Sequence, residues 1–156
     1  MKEIPNFNNG IIKQKEAKGH LLKIYDFVES TKCLEFYDYL VKKGTIQTLI
    51  EVKWVNYRYK TISISIRWGQ AKKLLKAKNF MLYIMTPKGN FFISPEQFYE
   101  YSHVHYNGAN VHEKRIYLAA MLVDGEFQMT YPYRCPFCDG FSVDYIDQGK
   151  QPLLID

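Results

Sequence analysis

Apolar residues recur along this chain with two periods, and the switches between them mark out the elements. Ala17, Leu21, Ile24 and Val28 are spaced by four, three and four, one stripe of a helix from about Gln14 to Ser30. Lys13, Lys15, Lys18 and Lys23 decorate its outer side, and the polar stretch Met1 to Gly10 before it reads as an irregular lead-in. Two β-prone runs follow, Leu34 to Val41 and Thr45 to Trp54, separated by Lys42-Lys43-Gly44, which predicts a β-hairpin. Thr61 to Ile66 alternates strictly, a strand with its isoleucines on the core face. Arg67 to Lys78 predicts a helix with Gln70, Leu74 and Ala77 along one face. Phe80 to Met85 is continuously apolar, as suits a strand buried on both sides. Strand, helix and buried strand together form a crossover unit. Phe91-Phe92-Ile93 is a short returning strand, and Ser94-Pro95 opens a helix as N-cap and first helical residue.

The last third changes character. Tyr99 to His112, rich in Tyr, His, Asn and Gly, reads as an exposed loop. Arg115 to Val123 and Phe127 to Tyr131 flank Asp124-Gly125, a second hairpin, and Phe141 to Ile146 alternates like a final strand. The expected fold is α/β, or α+β by stricter criteria. It has a mixed central β-sheet of about five strands flanked by helices, a core over about residues 10–98 and a β-rich C-terminal extension over about 99–156. A length of 156 residues implies one domain.

Composition adds three constraints. The net charge of +5 leans toward a polyanionic partner. No run of 18 apolar residues and no apolar leader core occur, so neither a membrane span nor a secretory signal is expected. Three cysteines do not make a disulfide framework, which leaves the cytoplasm as the expected compartment.

The candidate chemistry sits on the first hairpin. Side chains alternate across a strand, so Glu51 and Lys53 share one face while Ile50, Val52 and Trp54 take the other. A carboxylate and an ammonium at the end of an otherwise apolar strand are costly to bury without a task. Asp38, placed near the middle of the partner strand, can add a second carboxylate. Two acids converging beside a lysine suit a divalent cation and an attacking water. The alternative is a solvated strand face.

This arrangement resembles the restriction-endonuclease-like nucleases, the PD-(D/E)XK superfamily. Asp38 is followed thirteen positions later by Glu51-Val52-Lys53, and Gln70 sits on the next helix. The likeness covers roughly residues 10 to 98; Tyr37 stands where the family motif has Pro. It implies that Asp38 and Glu51 hold Mg²⁺ or Mn²⁺, that Lys53 and Gln70 complete the catalytic set, and that an acid on the first helix joins the metal. Glu16 is the candidate for that last role, its other reading being a solvated first-turn acid. Holliday-junction resolvases and small phage or viral exonucleases share the plan, and cutting a junction would require two sites and hence a homodimer.

Further residues are candidates for DNA contact. Arg58 and Lys60 alternate with Tyr57 and Tyr59, a mixture suited to phosphate contact and base stacking. Arg67, Lys72, Lys73 and Lys76, with Lys78, make the second helix basic, as either a DNA face or an ordinary solvated one. Cys135-Pro136-Phe137-Cys138 resembles one knuckle of a zinc ribbon. A closed zinc site would need two of His103, His105 and His112, and free thiols are the favoured reading over zinc, with a disulfide as a third. The expected function is therefore a metal-dependent nuclease cutting DNA. The rival is a non-catalytic nucleic-acid-binding protein with a basic face and a zinc knuckle; a third class is an interaction protein with a Tyr-rich surface. The rival predicts that Asp38 and Glu51 diverge, or that each pairs with its own cation.

Overall fold

The computed structural model describes residues 6–31, 36–56, 61–106 and 114–132. In chain order the elements are α1 (Asn6–Leu22), β1 (Phe27–Ser30), β2 (Tyr39–Lys43), β3 (Ile46–Trp54), β4 (Thr61–Arg67), α2 (Trp68–Ala77), β5 (Phe80–Thr86), β6 (Gly89–Ile93), α3 (Pro95–Tyr101), β7 (His103–Tyr106), β8 (Lys114–Val123) and β9 (Glu126–Thr130). The mixed α/β fold expected from the sequence is present, built on a five-stranded sheet in the order β1-β2-β3-β5-β6. Lys43 pairs with Ile46, so the first hairpin turns through Gly44-Thr45. Gly44 takes φ +61°, the positive value that the first position of a type II′ loop requires. β3 and β5 run parallel, and all other neighbours in this sheet are antiparallel.

The period-two pattern decides which face meets which layer. On β5, Phe80, Leu82 and Ile84 enter one core with α2, α3 and the isoleucines of β4. Tyr83 and Met85 point the other way, into a smaller cluster with Ala17 and Leu21 of α1. The strand is buried on both sides, as its continuous apolar run predicts. Ser94 caps α3 through a capping box, its Oγ accepting from Gln97 N–H while Gln97 Oε1 accepts from Ser94 N–H.

Three expectations need correction. The helix from Gln14 to Ser30 instead starts earlier and ends at Leu22, and Phe27–Ser30 becomes the edge strand β1. Ile24 is exposed in the turn, and Val28 reaches the α1 cluster from β1 instead of from the helix. Asp26 instead joins the hairpin, its N–H donating to the Lys42 carbonyl and its carboxylate accepting from Gly44 N–H. Secondly, β4 does not join the main sheet. It pairs with β8 in a second, antiparallel sheet, and the crossover between parallel β3 and β5 passes through β4 and α2. Thirdly, Tyr99 to His112 is not simply a loop, because His103–Tyr106 forms β7 with Val104 buried opposite Ile116. β4 lines one edge of β8, while β7 and β9 follow each other along its opposite edge. The C-terminal strands thus share a core with β4, α2 and β5 and do not form an appendage to residues 10–98. Phe141 to Ile146 lies outside the described residues.

Candidate active site

Asp38 does not sit in mid-strand; it is the residue just before β2. Its N–H donates to the Ile50 carbonyl at 2.8 Å, and Thr31 Oγ donates to the carbonyls of Tyr37 and Asp38, which pins the bend. β2 leaves β3 at this point. The Val52 N–H, which a longer β2 would have satisfied, donates to Asp38 Oδ2 at 2.8 Å. The carboxylate therefore closes the ladder and is fixed by it.

Glu51 is buried, 6% exposed, on the face of β3 that α2 covers. Gln70, half-buried on α2, donates through Nε2 to Glu51 Oε2 at 2.5 Å and to the Phe36 carbonyl at 2.9 Å. Lys53 Nζ lies 3.5 Å from the same Glu51 oxygen. The Asp38 carboxylate, held on the Val52 N–H next to Glu51, bears on the Glu51 charge. A second carboxylate so near disfavours the ionised form of Glu51, because like charges resist simultaneous ionisation. Burial first, then the charge of Asp38, push Glu51 up to about 8, with Lys53 and Gln70 pulling the other way. Asp38, Glu51, Lys53 and Gln70 thus come together, from two elements and one bend.

Glu16 does not. It is exposed on α1 and pairs with Lys13 at 3.4 Å, and among the described residues no third His, Cys, Asp or Glu joins the pair. The residue that α1 does send is Gln14, whose Nε2 lies 3.5 Å from Asp38 Oδ1 while its carbonyl accepts from Tyr39 Oη at 2.7 Å. Sequence reading missed Gln14 because an uncharged side chain outside the apolar stripe carries no signal. Nor does the sequence reveal the Phe36 carbonyl, since any residue has one.

Of the proposed DNA contacts, Arg67 is exposed at the end of β4, Lys73 and Lys76 are exposed on α2, and Lys72 lies over the Trp68 ring at 5.9 Å. Arg58, Lys60, Cys135, Cys138 and His112 lie outside the described residues, and His103 is buried in β7. No helix among the described residues is long and apolar enough to cross a membrane. No protein-family model matches the chain, and neither the curated proteins nor the solved structures hold a match to it.

Proposed function

We propose that this chain is a Mg²⁺- or Mn²⁺-dependent nuclease of the restriction-endonuclease-like kind, acting on DNA. The observation that carries this reading is the convergence of two acids thirteen residues apart in sequence: where β2 parts from β3, Asp38 accepts from the N–H of Val52, next to Glu51, which itself meets Gln70 and Lys53. A purely structural carboxylate would be matched by its own cation or by donors. Here Lys53 and Gln70 together leave Glu51 well above the usual carboxylate range. The donor set is all oxygen and doubly anionic once Glu51 gives up its proton, which fits a hard divalent ion.

Asp38 and Glu51 would hold that ion, which supplies polarisation of a phosphoryl oxygen and acidification of water. The Val52 N–H keeps Asp38 in one rotamer, and Gln70 does the same for Glu51 while tying it to the bend at Phe36. Lys53, half-buried beside Glu51, would place a positive charge where negative charge develops on the phosphate. The exposed lysines of α2 supply a basic surface one face away from Gln70.

The test is digestion of linear, circular and branched DNA with Mg²⁺ or Mn²⁺, comparing the natural protein with Glu51→Ala and Asp38→Asn. Cleavage by the natural protein and its loss in both variants, with circular dichroism unchanged, is the expected outcome. Retained activity in both at matched metal concentration rejects the site.

A further inference from the structure

Strand β3 outlasts its neighbour. Its ladder with β2 stops at Ile50, and the last bond on that side is the one from Val52 N–H to Asp38. On the other side β5 continues to pair as far as Trp54, opposite Met85. The strand therefore ends half open among the described residues, and at that end Trp54 is 42% exposed. An indole so placed at a strand end offers a flat apolar ring with a polar N–H to a partner.

Its surroundings are not random. Lys13 of α1 lies with Nζ 4.0 Å from the centre of the indole ring, and the next residue, Gln14, is the one that reaches Asp38. Two consecutive residues of α1 thus connect the indole to the acid pair. Along β3, Trp54 follows Glu51 by three residues, about 10 Å at strand rise, and lies on the other, α1 face, so the two sites meet around the open edge of the strand beside Asp38. Among the described residues Lys13 is held otherwise by Glu16 at 3.4 Å, a surface pair of little strength that a phosphate can displace.

We propose that Trp54 and Lys13 form a stacking platform for an unpaired nucleotide beside the cleavage site, so that the favoured substrate is single-stranded or frayed DNA. The substrate class rests on the nuclease reading above; the platform itself does not. A base inside a duplex is already stacked on its neighbours, whereas an unpaired base can lay its face on the indole. The ammonium of Lys13 then neutralises the adjoining phosphate. Lys53, next in sequence to Trp54 but on the opposite face of β3, keeps a second positive charge near the same stretch of strand.

The experiment is equilibrium binding with EDTA present, using a labelled oligothymidylate and a blunt duplex of equal length. Trp54→Ala is expected to weaken the single strand roughly 5- to 100-fold while leaving the duplex unchanged, and Trp54→Phe to restore most of the loss. Lys13→Ala should make the log-log salt slope for the single strand about 0.7 shallower. Absence of single-strand binding by the natural protein, an unchanged affinity in Trp54→Ala, or an equal loss on both ligands overturns the platform. No cleavage is involved, so the platform can fail while Glu51-dependent digestion stands, and can stand if digestion fails.

Discussion

On the α1 face of the main sheet, the Tyr83 hydroxyl meets His20 Nδ1 at 2.7 Å, and Asn90 Nδ2 lies 3.4 Å from the same nitrogen. On the α2 face, Glu51 meets Asp38, Gln70 and Lys53. Both clusters put polar side chains against β3 or β5, yet only one of them stores charge. Tyr83 is neutral across the ordinary pH range, burial pushes its hydroxyl further up, and its partners satisfy it. Glu51 is an acid whose partners include another acid, so its burial is compensated only by keeping a proton or by taking up a cation. Comparing the two faces shows that burial alone does not mark a functional group. An unresolved charge does.

The largest effect that should separate the faces is on cleavage. Asp38→Asn or Glu51→Gln should lower it by on the order of a hundredfold or more, as for loss of a group that acts at the reacting centre. Tyr83→Phe should leave the rate near that of the natural protein. Equal losses on both faces, measured at saturating metal, would break the comparison.

Stability against pH comes next. Glu51 holds its proton up to about 8 when folded, against an ordinary value of 4.5. Between these values the unfolded chain has released the proton and the folded chain has not. The contribution is therefore complete below about pH 4.5 and is lost as pH rises toward 8. Urea midpoints should fall across that window by an amount worth a few kcal/mol at most, and Glu51→Gln should flatten the slope. Added Mg²⁺ or Mn²⁺ should restore stability on the alkaline side and release protons as it binds. A midpoint that rises from pH 5 to 8 in the natural protein would contradict the raised Glu51 carboxyl.

Smaller again is Tyr83→Phe, which removes one part-buried hydrogen bond and should cost about 1 kcal/mol in urea unfolding with no change in metal affinity. Smallest is Glu16→Gln. It breaks an exposed i,i+3 pair with Lys13 and should cost well under about 1 kcal/mol. Calorimetric metal affinity should not move either, since Glu16 stands apart from Asp38 and Glu51. A marked drop there would return Glu16 to the site.

What could be read in advance followed from local rules. The alternation at Glu51-Val52-Lys53 separates acid and base from Trp54 whatever the rest of the chain does. Helical spacing from Leu74 places Gln70 at the edge of the buried face, where it meets Glu51. Ser94-Pro95 and Asp124-Gly125 act through their own backbone preferences, and Asp124 and Gly125 take the positive φ their turn needs. The misses are tertiary. Phe27–Ser30 becomes a strand because the free edge of β2 offers it a ladder, and His103–Tyr106 because β8 does. Gln14 displaces Glu16 at the site because α1 is keyed by Tyr39 Oη to the Gln14 carbonyl, an angle of approach that no spacing encodes.

The long strand β8 has a consequence in time. The residues of β4 lie some fifty positions upstream of their partner, so as the chain leaves the ribosome Ile62, Ile64 and Ile66 must wait for Ile116, Leu118 and Ala120. Until then α2 has only half of its packing surface, and Gln70 has no firm base from which to hold Glu51. The β8–β9 hairpin closes locally and quickly; the pairing of β4 with β8 closes a long loop and is slow. The acid pair is thus expected to form late, after the pairing of strands that contribute no side chain to it. A nascent chain halted before residue 114 would carry every proposed catalytic residue and still lack the site.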